Sequence, residues 1–269
     1  MRATRRIPKR AIISSRPRFP RSRASAASGL ARGGDKSAHR IAQRHDQRDI
    51  RSVSVAAPTP PWKEVRVSKQ AHWETVYREK SEDELSWHQE APAVSIELLE
   101  LAGLQDGMSV IDIGAGTSRI TDALLARSIR DITVLDMSEA AIEATSARLG
   151  EAGSGVTWIV GDVTRWEPAR QYDIWHDRAV FHFLVTPEDR AAYIARLTRS
   201  LQSGGHAVIA TFALDGPEKC SGLPVMRYAP QTLADTLGAG FSLVAEIQHS
   251  HQTPWGSTQA FQYSLFRKA

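Results

Sequence analysis

The stretch Met108–Ile120 (MSVIDIGAGTSRI) leaves the chain few choices of fold. An apolar run from Met108 to Ile113 has the length of a buried parallel strand and stops abruptly at Gly114-Ala115-Gly116. From Thr117 to Arg127 the apolar residues Ile120, Leu124 and Leu125 fall on one helical face, with Thr117 or Ser118 available as N-cap. Glycine suits such a strand-to-helix turn because the backbone leaves the strand through positive φ, and because a side chain would hold a ligand away from the main chain. The helix start then offers free N–H groups to a polar or anionic ligand. A second apolar run, Asp131–Asp136, ends in a carboxylate where a Rossmann-type sheet places the acid that accepts from a ribose diol. A ribose-bearing cofactor is therefore expected. The pattern departs from the dinucleotide fingerprint at Arg119, which stands where that fingerprint has its third glycine.

Asp112-Ile113-Gly114-Ala115-Gly116, Asp136 behind the second strand and Gly161-Asp162-Val163 behind a third resemble, in order and spacing, the motifs of the class I S-adenosylmethionine-dependent methyltransferases. The resemblance runs from about His72 to the C-terminus. It implies a Rossmann-like α/β fold whose seven-stranded sheet is mostly parallel with an antiparallel C-terminal strand and has helices on both faces. It implies S-adenosylmethionine as the cofactor and no metal. Gly114 and Gly116 would underlie the methionine moiety, Asp136 would hold the ribose hydroxyls, Met137 would pack on the adenine, and Asp162 with Val163 would meet its edge. Asp112, Ala115 and Asp177 are counted with these contacts. A first helix over Ser68–Tyr77 is similar to the one that covers the cofactor in many small members of the family, which makes Tyr77 a candidate contact to the cofactor's carboxylate end.

Charge divides the chain into two parts. Residues 1–60 hold 15 Lys and Arg against 3 acids, near +12, which leaves the remainder near −8 beneath an overall +4. This first segment is rich in Arg, Ser and Ala and shows almost no apolar periodicity, so it cannot bury enough surface to offset its ordering entropy. A disordered basic extension over residues 1–65 and a methyltransferase domain over 66–269 are expected. Three readings of the extension stand side by side: an organellar transit peptide, an arm for nucleic acid or a membrane surface, and an extension without a role. No apolar core of a secretory signal follows the first arginines, and no run reaches the length of a membrane span. A cytoplasmic location is expected, or an organellar one if the extension is a transit peptide. The acidic balance of the domain argues against a nucleic-acid substrate. Cys220, the only cysteine, excludes an intramolecular disulfide and a cysteine-cluster metal site.

Methyl transfer from a sulfonium is an in-line displacement whose leaving group is a neutral thioether. The protein must hold nucleophile and methyl about 3 Å apart and take up a proton where the nucleophile carries one. The fourth strand, Tyr172–His176, runs into Asp177-Arg178-Ala179-Val180-Phe181-His182, and ligands gather at the carboxyl ends of strands in an open parallel sheet. His176, Asp177, Arg178 and His182 are therefore near the expected methyl position, with His182, Asp177 and Arg178 as the catalytic candidates. Packing of His182 between two phenylalanines, and an Asp177–Arg178 pair that only shapes the loop, are the alternatives. Asp177-Arg178-Ala179 resembles the Asp-Lys-Gly segment of lysine methyltransferases acting on elongation factor or citrate synthase; the chain is also similar to small-molecule methyltransferases of the trans-aconitate and thiopurine type. The acceptor is thus expected to be a small molecule or a protein side chain. Trp87 and His88 either line the substrate mouth or plug the core edge, and Asp215–Arg227, longer than the usual connection, is expected to cover the substrate. Two other classes would use the same fold: an NAD(P)-dependent oxidoreductase, which calls for a small residue at Arg119, and a non-catalytic module, which has no need of Asp112, Asp136 and Asp162.

Overall fold

The computed structural model describes residues 62–269, with side chains from residue 69 onward. Residues 1–61 of the segment read as an extension lie outside the described residues. Five parallel strands form the centre of the sheet: β1 (Ser109–Ile113), β2 (Asp131–Asp136), β3 (Thr157–Val160), β4 (Tyr172–Arg178) and β5 (Leu201–Phe212). A short ribbon, β6 (Lys219–Cys220) with β7 (Leu223–Pro224), stands apart, and β8 (Phe241–Gln252) and β9 (Thr258–Lys268) close the main sheet. The order is β3-β2-β1-β4-β5-β9-β8, with β9 antiparallel to both its neighbours, so six strands point one way and one runs against them.

The helices are α1 (Trp62–Glu79), α2 (Ala93–Leu101), α3 (Ile120–Ala126), α4 (Glu139–Leu149), α5 (Pro187–Ser200) and α6 (Pro230–Leu237). Successive strand residues point to opposite faces, and both faces here are apolar, as a sheet covered on two sides requires. Val110, Val134, Ile174 and Val208 pack with Leu98 and Leu99 of α2 and Leu124 of α3. Ile111, Leu135, Trp175 and Ile209 pack with Tyr193 and Leu197 of α5 and Leu233 of α6. The α4 and α5 starts follow their local chemistry: Ser138 Oγ accepts from the Ala141 N–H, and Thr186 Oγ1 accepts from the Asp189 N–H ahead of Pro187 at the first helical position.

Several boundaries differ from the expected ones, each for a stated reason. α3 begins at Ile120 rather than Thr117, and the position before it is Arg119 with no capping side chain. The carbonyls of Thr117 and Ser118 are instead taken by the Arg148 guanidinium at 3.0 and 2.8 Å, which holds these residues in the turn. The helix α5 ends at Ser200, before Gly204-Gly205, because those glycines lie inside β5, where its pairing with β4 shifts between Tyr172 and Ile174. A Cβ on Gly205 would stand 2.9 Å from the Asp173 carbonyl oxygen, so the close approach of the two strands requires glycine. β4 extends through Asp177 and Arg178, which places both on a strand and not in the loop. The Asp215–Arg227 connection folds partly into the β6–β7 ribbon and is fastened at its end, the Met226 N–H donating to the His182 carbonyl at 2.8 Å.

Candidate functional site

One cavity lies at the carboxyl ends of β1, β2 and β4, and the glycine turn forms its floor. Gly114 and Gly116 have φ of 58° and 54°, as the turn out of a buried strand demands. The space above them is in use: a Cβ on Gly114 would come within 2.0 Å of Val180 Cγ2, and one on Gly116 within 2.2 Å of the Tyr77 hydroxyl. Val180 reaches that position because Ala179 turns out of β4 with φ 73°, a strained conformation for a residue with a side chain. Tyr77 arrives from α1, which is anchored on α4 by Glu74; its carboxylate accepts from Ser138 Oγ at 2.8 Å.

Asp136, at the end of β2, is 5% exposed and is held by two backbone groups, Gly116 N–H on Oδ2 and Ser138 N–H on Oδ1, each at 2.8 Å. A carboxylate has about four acceptor sites, so Asp136 keeps acceptor capacity for a ligand hydroxyl. Burial pushes the Asp136 carboxyl up to about 6, against the pull of these two N–H bonds. Asp112 pairs in register with His176 across β1 and β4, and its Oδ1 accepts from His176 Nδ1 at 2.6 Å. His176 Nε2 lies 2.9 Å from Ser95 Oγ of α2, so the ring is strapped between two elements. Asp112 lines the cavity, and its second oxygen is buried with no partner among the described residues. Ala115, Met137, Asp162 and Val163 also line the cavity, and Asp162 Oδ1 accepts from the Thr164 N–H and hydroxyl, each at 2.8 Å.

The catalytic candidates separate on inspection of their partners. Asp177 is fully buried and does not line the cavity; its carboxylate accepts from Val180 N–H at 2.9 Å, Phe181 N–H at 3.1 Å and Tyr193 hydroxyl at 2.6 Å. Burial raises its pKa to about 6, but every donor on it comes from the turn after β4 or from α5. It braces that turn and meets neither cofactor nor acceptor space. His182 is likewise outside the cavity, packed 4.4 Å from the Phe183 ring and 4.8 Å from that of Phe212, with Nδ1 accepting from the Phe212 N–H at 3.4 Å. Burial, aided by the Arg178 charge, drives its pKa down to about 3, so it is a neutral packing histidine. Arg178 does line the cavity, its Nε donating to the Tyr263 hydroxyl and Nη1 to the Trp87 carbonyl, each at 2.9 Å.

Other parts of the wall are aromatic, and they include Tyr77, expected at the cofactor, and Trp87 and His88, for which the mouth of the site was one of two expectations. Trp73, Tyr77, Trp87 and Phe183 form an aromatic cluster with Trp73 ring centroids 5.6 Å from Trp87 and 5.1 Å from Phe183, and His88 lies beside them on the cavity wall. Ser95 and Lys69 carry no sequence signal for this role, since each is an ordinary helix residue. Of the expected substrate cover, Cys220 alone borders the cavity. Arg119, noted only as a departure from the dinucleotide pattern, donates to Glu82 Oε2 at 2.5 Å, while Arg148 donates to Glu82 Oε1 at 2.6 Å and Asp122 Oδ2 at 2.9 Å. This network fastens the segment that carries Leu85, Trp87 and His88 over the glycine turn. No helix among the described residues is long and apolar enough to cross a membrane.

The residues fit a cofactor with a ribose diol, an ammonium and an apolar ring. Asp136 keeps acceptor capacity beside the glycines, Asp112 brings an oxygen with no partner among the described residues, and Met137 and Val163 border the same space. Together with an antiparallel β9 where a dehydrogenase would continue its second parallel half, they make the chain similar in fold and site layout to the class I S-adenosylmethionine-dependent methyltransferases. Residues 110–205 match the model of a family described as a methyltransferase domain. Over 105 residues the chain is 30% identical to a malonyl-[acyl-carrier protein] O-methyltransferase of Anoxybacillus flavithermus, covering 39% of each chain. Over 121 residues it is 31% identical to a trans-aconitate 2-methyltransferase of Azoarcus sp. strain BH72, covering 45% of this chain and 46% of the relative. The chain thus spans less than half the length of the curated relatives it matches. Among solved structures it is similar to the Burkholderia thailandensis 1,6-didemethyltoxoflavin-N1-methyltransferase with bound S-adenosylhomocysteine, at TM-score 0.63 and 22% identity, covering 80% of this chain and 93% of that one.

Proposed function

We propose that the protein transfers a methyl group from S-adenosylmethionine to a small-molecule or protein side-chain nucleophile, in the cytoplasm. The observation that carries this reading is the convergence of Asp112, Asp136, Gly114 and Ala115 on one cavity, with the Gly116 N–H bonded to the Asp136 carboxylate. Gly114, Ala115 and Gly116 would lie under the methionine moiety, with the Asp112 oxygen toward its ammonium and Tyr77 at that end. Asp136 would accept the ribose hydroxyls, with Met137 against the adenine face and Asp162 and Val163 at its edge. When bound, the cofactor supplies an electrophilic methyl on a sulfonium, and the thioether that leaves is uncharged.

The chain's own work is positioning and desolvation. The Trp73, Trp87 and Phe183 rings shield the strand ends from water, and the Glu82–Arg119–Arg148 network holds that shield in place. None of the three catalytic candidates supports a general-base role. Asp177 is held by three protein donors off the cavity, His182 also lies off the cavity, and an arginine does not give up its proton. The reading therefore favours an acceptor that is ionised at neutral pH or that releases its proton to water.

Calorimetry with S-adenosylhomocysteine and NADH tests the cofactor, and a screen with methyl-labelled S-adenosylmethionine against lysate and a small-molecule panel, read in protein and small-molecule fractions, tests the activity. Binding of S-adenosylhomocysteine without NADH, followed by label in either fraction, is expected. NADH binding in its place would overturn the reading.

A further inference from the structure

We infer that the acceptor is a small organic acid whose carboxylate is held by Arg178 and whose apolar, planar body lies against Trp73, Trp87 and Phe183. This rests on the methyltransferase reading and narrows it to one substrate class. Three cationic side chains of the described residues that line the cavity differ in how they are matched. Lys69 pairs with Asp189 at 3.6 Å, and Arg119 pairs with Glu82 at 2.5 Å. Arg178 makes no ion pair with any described carboxylate.

A guanidinium is costly to bury, and this one is only partly compensated. Its Nε and Nη1 are used by the Tyr263 hydroxyl and the Trp87 carbonyl, and its carbon sits 4.9 Å over the Phe261 ring. Its Nη2 is buried, has no hydrogen-bond partner and belongs to a side chain on the cavity wall. The surroundings offer no compensation from within: His182, His249 and His251 are all held toward the neutral form, first by burial and then by the Arg178 charge itself. An arginine on the cavity wall that is fixed by two neutral acceptors and keeps one nitrogen without a partner among the described residues is a preorganised site for one oxygen of a carboxylate. Its place at the end of β4 puts that carboxylate beside the expected methyl position, while the aromatic cluster, within reach because Arg178 is bonded to the Trp87 main chain, meets the rest of the molecule.

The competing assignment is that Arg178 binds the carboxylate of the cofactor. The two are separated by titrating the full chain with S-adenosylhomocysteine first and with acids afterwards. On protein saturated with S-adenosylhomocysteine, benzoate, cinnamate and fumarate are compared with their amides by calorimetry. At least one acid is expected to bind about tenfold or more tighter than its amide, as a charge-assisted bond to a half-buried arginine requires. Arg178→Met should erase this difference while changing S-adenosylhomocysteine affinity less than about threefold, and Arg178→Lys should restore part of it. Acids that bind no better than their amides, including the case in which neither binds, overturn the proposal. So does a matching fall in S-adenosylhomocysteine affinity in the Arg178 variants, which would assign the arginine to the cofactor. Failure of wild-type protein to bind S-adenosylhomocysteine would instead strike the methyltransferase reading itself. The acid–amide contrast needs no variant, so it stands even if Arg178→Met does not fold.

Discussion

Cofactor affinity should fall as Asp136 is protonated. In the proposed binding mode the carboxylate accepts the ribose hydroxyls, and burial has raised its pKa to about 6 in the free protein. At pH 5 only about one molecule in ten is in the accepting form, so S-adenosylhomocysteine should bind about tenfold more weakly than at pH 7.5, or about 1.4 kcal/mol. The same shift acts oppositely on the fold. A carboxyl whose native pKa lies above its unfolded value stabilises the native state below about pH 4, and that contribution is lost as pH rises through about 6. Asp177, also raised to about 6, has the same sign. Unfolding driven by these two groups therefore cannot account for weaker binding at pH 5, and the Tm of the free protein, measured alongside, separates the two effects. Asp136→Asn sharpens the test. One of its two polar ends is an amide nitrogen, which must face either the Gly116 or the Ser138 N–H and leave that buried donor unpaired. Binding should weaken by about 2–4 kcal/mol with the loss of the charged acceptor, and its dependence on pH between 5 and 7.5 should vanish. Equal affinity at pH 5 and 7.5 in the wild type, or the same slope in the variant, would refute the reasoning.

Gly116→Val should abolish detectable S-adenosylhomocysteine binding in calorimetry, because its side chain must displace the Tyr77 hydroxyl and occupy positive φ at a cost of roughly 1–2 kcal/mol for the backbone alone. Tyr193→Phe removes the donor to Asp177 and leaves the Trp175 indole N–H, now 2.8 Å from that hydroxyl, without an acceptor; chemical denaturation should show a loss of about 1–3 kcal/mol with cofactor affinity unchanged. Glu82→Gln removes the acid shared by Arg119 and Arg148; the pairs are partly exposed, so stability should fall by no more than about 1 kcal/mol, while proteolysis in the segment around Leu85–Gln89 becomes faster.

Much of the cofactor side was legible in the sequence because it is written in short range. A strand that ends in Gly114-Ala115-Gly116, and a second that ends in Asp136, each need only their own residues to declare the element and its terminus. The seven-stranded architecture with its antiparallel C-terminal strand was implied by the resemblance that these motifs carry, and the sheet has that order. Where local rules failed, a distant partner had intervened: Arg148 of α4 took the carbonyls that the expected start of α3 would have used, and β4 reached back to claim Asp177 and Arg178 for the sheet.

The acceptor side was decided by tertiary structure. Four chemically plausible residues, His176, Asp177, Arg178 and His182, stand within seven positions of one another, and nothing local distinguishes them. Their roles were fixed by partners far along the chain: Asp112 and Ser95 on His176, 64 and 81 residues away, and Trp87 and Tyr263 on Arg178, 91 and 85 residues away. Asp177 is consumed by the turn it braces and by Tyr193, and His182 by the phenylalanines around it. The sequence by itself determined that the chain builds a glycine turn beside a buried acid at the ends of a parallel sheet, since strand, glycine and acid act through neighbouring backbone. Only the tertiary structure decided which charge is left without a partner, because hydrogen-bond satisfaction in a buried site depends on the strand order and register that bring remote side chains together.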